Sequence, residues 1–368
     1  MSNVDVEQEF RAARKSQAEG YLDQAKRQYG EVLARVPHHA ESMTMLASIA
    51  YQQSQEAQAE AYLDRAIGVY LAVLERMPKM VRARAPVINL LLARGRQAEA
   101  EALMPELELR LNPIRATPKE FTQRRRYGQE RGLPAMLVNA LPKTASESIW
   151  NKLAQGLGIG QGHITIGLFP RCILVPLRVQ AALEGGFIAK EHLPATPFNI
   201  KTLADHGLTK TVCHLRDPRQ ATLSWAHFVR DDVSIRMLAP IWRQIVPPAE
   251  VLKAHFPVIV DWCIDNYLPL LTQFLADWIA LEQRPDSPVE VRFLTFESFL
   301  KAPDDYIQNV LSLYDIDPKH FRAEAESKIV HLRKGQTDEW RSVFTVSQQE
   351  RAWSLIPDDM AARFGWQA

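Results

Sequence analysis

The sequence predicts an α-helical repeat domain followed by an α/β domain with a parallel central sheet flanked by helices. Three observations carry that prediction. Small and aromatic residues recur at fixed helical offsets through the first third of the chain. Beyond it, short apolar or β-branched runs alternate with stretches of helical spacing. Between the two, the strand-length run Ala135 to Leu141 passes through Pro142 to a helix start at Ser146.

Residues 1–113 form the first domain and read as helical from residue 5 onward. Gly20, Ala25, Tyr29, Val32 and Pro37 have a second copy in Ala66, Tyr70, Val73 and Pro78, with the same Ala-to-Pro spacing. A weaker third copy runs Gly95, Ala100, Met104 and Leu107 and ends at Pro113. The small residues let paired helices approach, the aromatic fills the gap, and the proline stops the second helix of each pair. This pattern resembles the tetratricopeptide repeat, with the second copy lengthened around residues 53–58; an irregular helical bundle is the alternative. Such arrays bind peptides or pack on a neighbouring domain. Residues 114–134 read as a linker or linking helix whose Arg124-Arg125-Arg126 run is a solvated face, with steering of a ligand towards a nearby anion site as the alternative.

The α/β domain takes residues 135–368. After the first strand, Gly185 to Glu191 reads as a strand ending at His192. Thr211 to Leu215 is another, ending at Arg216 and followed by a helix over Gln220 to Phe228. Glu290 to Phe296 is a further strand, leading to a helix around Asp304 to Tyr314. Ligands of such sheets collect at the carboxyl ends of the strands, where Lys143, His192, Arg216 and Phe296 all fall. The turn at 142–148 reads as a phosphate-binding loop. A helix N-terminus offers N–H groups and a positive dipole end, Lys143 adds a full charge, and Thr144, Ser146 and Ser148 add hydroxyls. It lacks the glycine framework of G-x-x-x-x-G-K-[ST].

Composition bounds the rest. Lys+Arg 44 against Asp+Glu 43 leaves a net charge of +1, so no global field attracts nucleic acid or anionic membrane. Cys172, Cys213 and Cys263 are separated and sit in apolar or mixed runs, as reduced thiols of a cytoplasmic protein do. The acidic N-terminus is unlike a signal peptide, and no apolar stretch nears the roughly 20 residues of a membrane span. Neither H-E-x-x-H nor a carboxylate cluster calls for a metal.

Four further stretches point to one family. Arg216-Asp217-Pro218, with Ser224 eight residues after the arginine, resembles the 3′-phosphate motif of sulfotransferases that use 3′-phosphoadenosine 5′-phosphosulfate (PAPS). Leu141-Pro142-Lys143-Thr144-Ala145-Ser146 is similar to their 5′-phosphosulfate loop P-K-x-G-T-[ST]. Lys190-Glu191-His192-Leu193-Pro194 is similar to the K-T-H-L-P of the cytosolic members, and Arg333 to Trp340 to their R-K-G-x-x-G-D-W. The resemblance spans about residues 135–355 and implies the P-loop-like sulfotransferase fold.

It also implies roles. His192 is the general base on the acceptor hydroxyl, and Lys143 donates to the bridging oxygen of the phosphosulfate. The N–H groups around Ala145, Ser146, Glu147 and Ser148, with Thr144 in the same turn and the Ser146 hydroxyl, cradle the 5′-phosphate. Arg216, Ser224, Arg333, Lys334 and Gly335 hold the 3′-phosphate, and Phe296 takes the family tyrosine's place against adenine. The chain departs from the pattern in four places. Ala145 replaces the loop glycine, so its φ should be negative or slightly strained. Glu147 stands at a hydroxyl position, its side chain turned away as a helix cap. Ser148 replaces the adenine-stacking tryptophan, and Asp338 replaces the second glycine of the last motif.

The reading is therefore a cytoplasmic PAPS-dependent enzyme that transfers a sulfuryl group in line to a hydroxyl, less readily an amine, of a small molecule, saccharide or other acceptor. The product is 3′-phosphoadenosine 5′-phosphate (PAP), and no metal takes part. The runner-up readings are a P-loop kinase-like phosphotransferase and a catalytically inactive binding protein built on the repeats. Trp242, Trp262, Tyr267, Phe274 and Trp278 are candidates for an acceptor pocket, although their spacing favours helix core; His227 is structural or pocket-lining. Arg341, Thr345, Val346 and Glu350 resemble the K-x-x-x-T-V-x-x-x-E dimer motif of the cytosolic members, which implies a homodimer.

Overall fold

A computed structural model describes residues 3–111, 113–114, 116–232, 243–322 and 336–368. They fall into two compact units, Met1–Leu107 with Ala226–Cys263, and Glu108–Trp225 with Ile264–Ala368.

In the first unit the helices Asn3–Ala18, Leu22–Arg35, Ala40–Gln52, Glu56–Arg76, Val81–Ala93 and Gln97–Ala102 follow one another, each packed on its neighbour in sequence. The repeated positions are the buried ones: Ala25, Tyr29 and Val32, then Ala66 and Tyr70, then Ala100, Met104 and Leu107. Val73 is the exception, half-exposed while Leu74 takes the core position. Pro37 and Pro78 each stand two residues past a helix end, at Arg35 and Arg76. The third copy differs, because its helix stops at Ala102, far short of Pro113. Pro105 lies in the way, and the residue before a proline is biased out of the helical region. Gly20, Ser54 and Gly95 make the turns between the paired helices with φ of +86°, +59° and +74°. Ser54 thus adopts, with a side chain, the conformation glycine takes in the other two. The added length of the second copy is itself helical, 21 residues in Glu56–Arg76 against 14 in Leu22–Arg35. The later segment of this unit is fastened to the same pair: Arg243 pairs with Glu60, and the Ser54 hydroxyl donates to Glu250 at 2.8 Å.

The second unit is built on five strands: β1 Ala135–Ala140, β2 Gly160–Gly162, β5 Phe187–Glu191, β6 Lys210–Leu215 and β7 Glu290–Thr295. A two-stranded antiparallel hairpin, β3 Thr165–Ile166 with β4 Ile173–Leu174, stands apart from this sheet. The sheet order is β2-β5-β1-β6-β7 and every pair is parallel. Registers such as Val138↔Lys190, Val138↔Val212 and Val212↔Arg292 align the strands. β1 is buried along its whole length, which is why its sequence is an apolar run and not an alternation. Trp150, Leu153 and Leu157 of helix Ser146–Leu157 share one core with Ile188, Val212, Phe296, Tyr306 and Leu311. The chain leaves β1 for the far edge at β2, returns through β5 to β1's side, and crosses to β6 on the other side. β1 is therefore flanked by the topological switch at which such sheets bind ligands.

The linking segment contains helix Pro118–Glu130, started by a reciprocal capping box between Thr117 and Glu120. This helix lies against the start of β5, where a Cβ on Gly186 would come 2.2 Å from the Arg125 carbonyl and one on Gly128 2.5 Å from the Gly186 Cα. Arg125 is not part of a solvated face: its guanidinium donates to the Ala181 carbonyl at 2.5 Å and pairs with Glu184. Among the described residues no helix is long and apolar enough to cross a membrane.

Candidate active site

Because the sheet is parallel, the residues that follow β5, β1, β6 and β7 lie along one edge in that order. His192 follows β5, the turn 141–145 follows β1, Arg216 follows β6 and Phe296 follows β7. Neighbouring strands stand about 4.8 Å apart, so His192 and Arg216, two strands apart, bracket the turn over roughly 10 Å.

The turn is held tightly. Thr144 is fully buried and its hydroxyl donates to the Leu141 carbonyl at 2.7 Å, so it serves the turn itself. On either side of it Lys143 and Ala145 have φ of +65° and +60°. Of the two expectations for Ala145, a negative φ or a strained one, the backbone takes the strained, left-handed form. It costs a non-glycine residue about 1–2 kcal/mol. Ala145 is also the N-cap of helix Ser146–Leu157 and makes no side-chain cap. The N–H groups that open a helix suit an anion, although here the Ser148 N–H already donates to the Ala145 carbonyl at 3.0 Å. Ser146, buried, opens that helix, and Lys143 and Ser148 are half-buried beside it.

Glu147 reaches across to β5. Its carboxylate accepts from Lys190 Nζ at 2.5 Å, and the ammonium lies 5.6 Å from the centre of the Trp150 ring. Lys190 is buried, so pairing relieves a charge that burial alone would penalise.

His192 Nδ1 lies 2.6 Å from the Ala140 carbonyl. A carbonyl only accepts, so Nδ1 carries the proton and Nε2 is left with its lone pair. Burial pushes the His192 pKa down to about 3, helped by the charge of Lys190 and, less strongly, by His163 and Lys143, against the pull of the Ala140 carbonyl. The imidazole is thus neutral near pH 7. The turn after it is fixed by Asn139 of β1, which donates to the Leu193 carbonyl at 3.0 Å and accepts from the Leu193 N–H at 2.7 Å. Trp278 donates to the same carbonyl at 2.8 Å. Glu191 is buried too, and accepts from the Ile164 N–H and the Thr165 hydroxyl, each at 2.6 Å, with His163 Nδ1 at 3.4 Å. Burial raises its pKa, but His163 and these donors together hold it below the ordinary carboxylate value.

On the other side of the turn, Arg216 is buried, with its guanidinium 4.7 Å from the centre of the Phe296 ring. Its Nη2 donates to the carbonyl of Gln336. Arg333, Lys334 and Gly335 lie outside the described residues, but Gln336, next in the chain to Gly335, is beside Arg216. Phe296 is 1% exposed and belongs to the core. Ser224 is half-buried on helix Pro218–Asp231. Asp217 forms a buried pair with Arg219 at 2.8 Å, and Arg219 is covered by Trp340 at 3.8 Å.

Of the aromatic candidates for an acceptor pocket, Tyr267, Phe274 and Trp278 are core, as their spacing favours. Trp262 is half-buried and Trp242 lies outside the described residues. The His227 ring lies 4.4 Å from Phe256. Sequence reasoning missed Asn139, Glu191 and His214, whose work is to hold turns. For Asn139 and His214 the one available signal was a polar residue inside an apolar strand. Among the described residues no cluster of His, Cys, Asp or Glu could hold a metal ion.

No protein family matches the chain, and no curated protein matches it either. Among solved structures, the crystal structure of mouse sulfotransferase SULT7A1 complexed with PAP is similar at 12% identity, over 67% of this chain and 92% of that chain, with a TM-score of 0.42.

Proposed function

We propose that this chain transfers a sulfuryl group from PAPS to an acceptor hydroxyl and releases PAP. The observation that carries this reading is the order of groups along the sheet edge. A neutral imidazole with a bare Nε2 stands at β5, a strained cationic turn at β1 and a buried guanidinium at β6. Two anion-holding elements one strand apart suit a nucleotide with two separate phosphates better than a single polyphosphate chain. The donor set fits: an ammonium, a helix N-terminus and an arginine are what phosphate and sulfate oxygens require.

PAPS supplies an activated sulfuryl group on its 5′-phosphate. His192 Nε2 takes the acceptor's hydroxyl proton as the new O–S bond forms. Lys143 and the first turn of helix Ser146–Leu157 stabilise the negative charge that develops on the bridging oxygen as the old S–O bond breaks. Anions held at the turn offset Lys143 and Lys190, so the His192 pKa rises when the site is filled. Arg216, Ser224, Arg333, Lys334 and Gly335 hold the 3′-phosphate, and Phe296 offers apolar contact near the base. The helices of residues 1–113 serve as a tetratricopeptide-like module ahead of the 114–134 link and the 135–368 catalytic domain. They take a peptide or protein partner, and the exposed strip of Arg341, Thr345, Val346 and Glu350 joins two copies. Three buried free thiols suit a reducing, cytoplasmic setting.

Turnover with sulfur-labelled PAPS over saccharide, phenolic, lipid-alcohol and peptide acceptors tests the reaction. Labelled product that requires His192 is the expected result. Phosphoryl transfer from ATP in its place would overturn it.

A further inference from the structure

The turn between β1 and its helix has the shape of a glycine loop without the glycine. Lys143 and Ala145 both hold positive φ, and Thr144 stands between them. Something outside the turn must keep two non-glycine residues in the left-handed region. One residue grips the turn at both ends. The His214 carbonyl accepts from the Leu141 N–H at 2.8 Å, and its Nε2 lies 2.8 Å from the Thr144 carbonyl.

The proton arrangement follows from the neighbours. Tyr306, buried, has its hydroxyl 3.0 Å from His214 Nδ1, with the two rings edge to face at 85°. Nε2 faces a carbonyl and must donate, so Nδ1 accepts from the Tyr306 hydroxyl. Tyr306 is set in turn by Phe299, whose ring centre is 5.2 Å away. Complete burial pushes the His214 pKa down to about 4, against the pull of the Thr144 and Leu294 carbonyls, so the ring stays neutral and carries a single N–H.

We propose, on the sulfuryl-transfer reading above, that His214 is a positioning residue: with Tyr306 fixing its tautomer, it braces the Thr144 carbonyl and so keeps the glycine-free turn shaped for the 5′-phosphate. Its reach is one N–H to one carbonyl, and that makes the claim separable from simple packing. A glutamine places its amide nitrogen where Nε2 stands, whereas leucine fills the space and donates nothing. The brace matters because alanine occupies the glycine position, so it should matter less once glycine is restored there.

The test is PAP titration of the full chain and of His214→Gln, His214→Leu, Ala145→Gly and the double variant Ala145→Gly with His214→Leu. Melting curves verify folding. His214→Leu should weaken PAP binding about tenfold, equal to about 1.4 kcal/mol. His214→Gln should stay within about threefold of the parent, and the leucine loss should shrink to a few-fold in the glycine background. Equal losses in the glutamine and leucine variants, or a full tenfold loss in the glycine background, would reduce His214 to packing. If leucine does not fold, Tyr306→Phe gives the reading: a several-fold loss of affinity supports the brace and unchanged affinity overturns it. Amide exchange across residues 141–146 without nucleotide separates this claim from the functional one. Faster exchange in the leucine than in the glutamine variant upholds the brace even if PAP does not bind the parent. Equal exchange removes it.

Discussion

The role proposed for His192 as a base rests on what surrounds it. The Ala140 carbonyl takes the proton-bearing nitrogen, and burial with Lys190 nearby keeps the ring neutral. A base works only when deprotonated, so activity is lost as pH falls through its pKa. The kcat/KM profile reports the free enzyme, so it should stay flat from pH 8 down to about 5; an acid limb near 6.5 would mean an unperturbed imidazole. His192→Ala should lower turnover by about 10²–10⁴ while PAP affinity stays nearly intact, and Lys143→Ala should reduce both. An alanine variant that keeps most of its turnover moves the base elsewhere, and one that loses PAP makes His192 a nucleotide ligand. At Ala145 the strain is local and removable. Ala145→Gly should raise stability by about 0.5–1 kcal/mol, the relief of the left-handed backbone less the added freedom of the unfolded chain. A lower urea midpoint would show that the turn is not strained. Lys143, Thr144, Ser146, Ser148, Arg216 and Ser224 became candidates in the sequence because each carries a charge or a hydroxyl at a motif position, whereas Ala145, Phe296 and Gly335 did so by position alone. The Glu147–Lys190 pair was not legible, because the two are distant in sequence and only the pairing of β1 with β5 brings them together.

Elements that are long and periodic were legible. β1, β5, β6 and β7 each combine an apolar or β-branched run with a stop signal, and the observed bounds differ by a residue or two from those expected. β2 could not be read, because Gly-Gln-Gly has neither β propensity nor length; its pairing with β5 makes it a strand. The β3–β4 hairpin is two residues a side and escapes periodicity for the same reason. The third repeat misled through Pro113, since Pro105 ends that helix first. The clamp proposed for the 3′-phosphate draws on two stretches far apart in sequence, the turn after β6 and Arg333 to Gly335, and Arg216 donates to the carbonyl of Gln336, the next residue. Arg216→Ala and Arg333→Ala should each weaken PAP binding by about 1.5–3 kcal/mol, the scale of a hydrogen bond to a charged group. Calorimetry that finds both variants unchanged would take these residues out of the site.

At the scale of the molecule, the order of the two regions and the parallel sheet were readable from the switch between helical and strand periodicity. The inclusion of Ala226–Cys263 in the helical unit was not. Its links, such as Arg243 to Glu60, join surface side chains that carry no pattern in a single sequence. Assembly is a separate expectation. Val346 is 73% exposed at the start of helix Val346–Ser354, so Val346→Glu should leave the fold intact and dissociate a homodimer that uses this strip. Light scattering that finds the parent a monomer at micromolar concentration would contradict the dimer.

One sheet edge is proposed to hold a nucleotide by two phosphates in separate places. The direct measurement is the melting temperature of the full chain with PAP and with ATP at equal concentrations. A ligand at about 100 times its Kd stabilises the folded state by about 2.7 kcal/mol. PAP should therefore raise the melting temperature by several degrees, and ATP, which has no 3′-phosphate for Arg216, by much less. Equal shifts with the two nucleotides, or a larger one with ATP, would rule out a separate site for the 3′-phosphate.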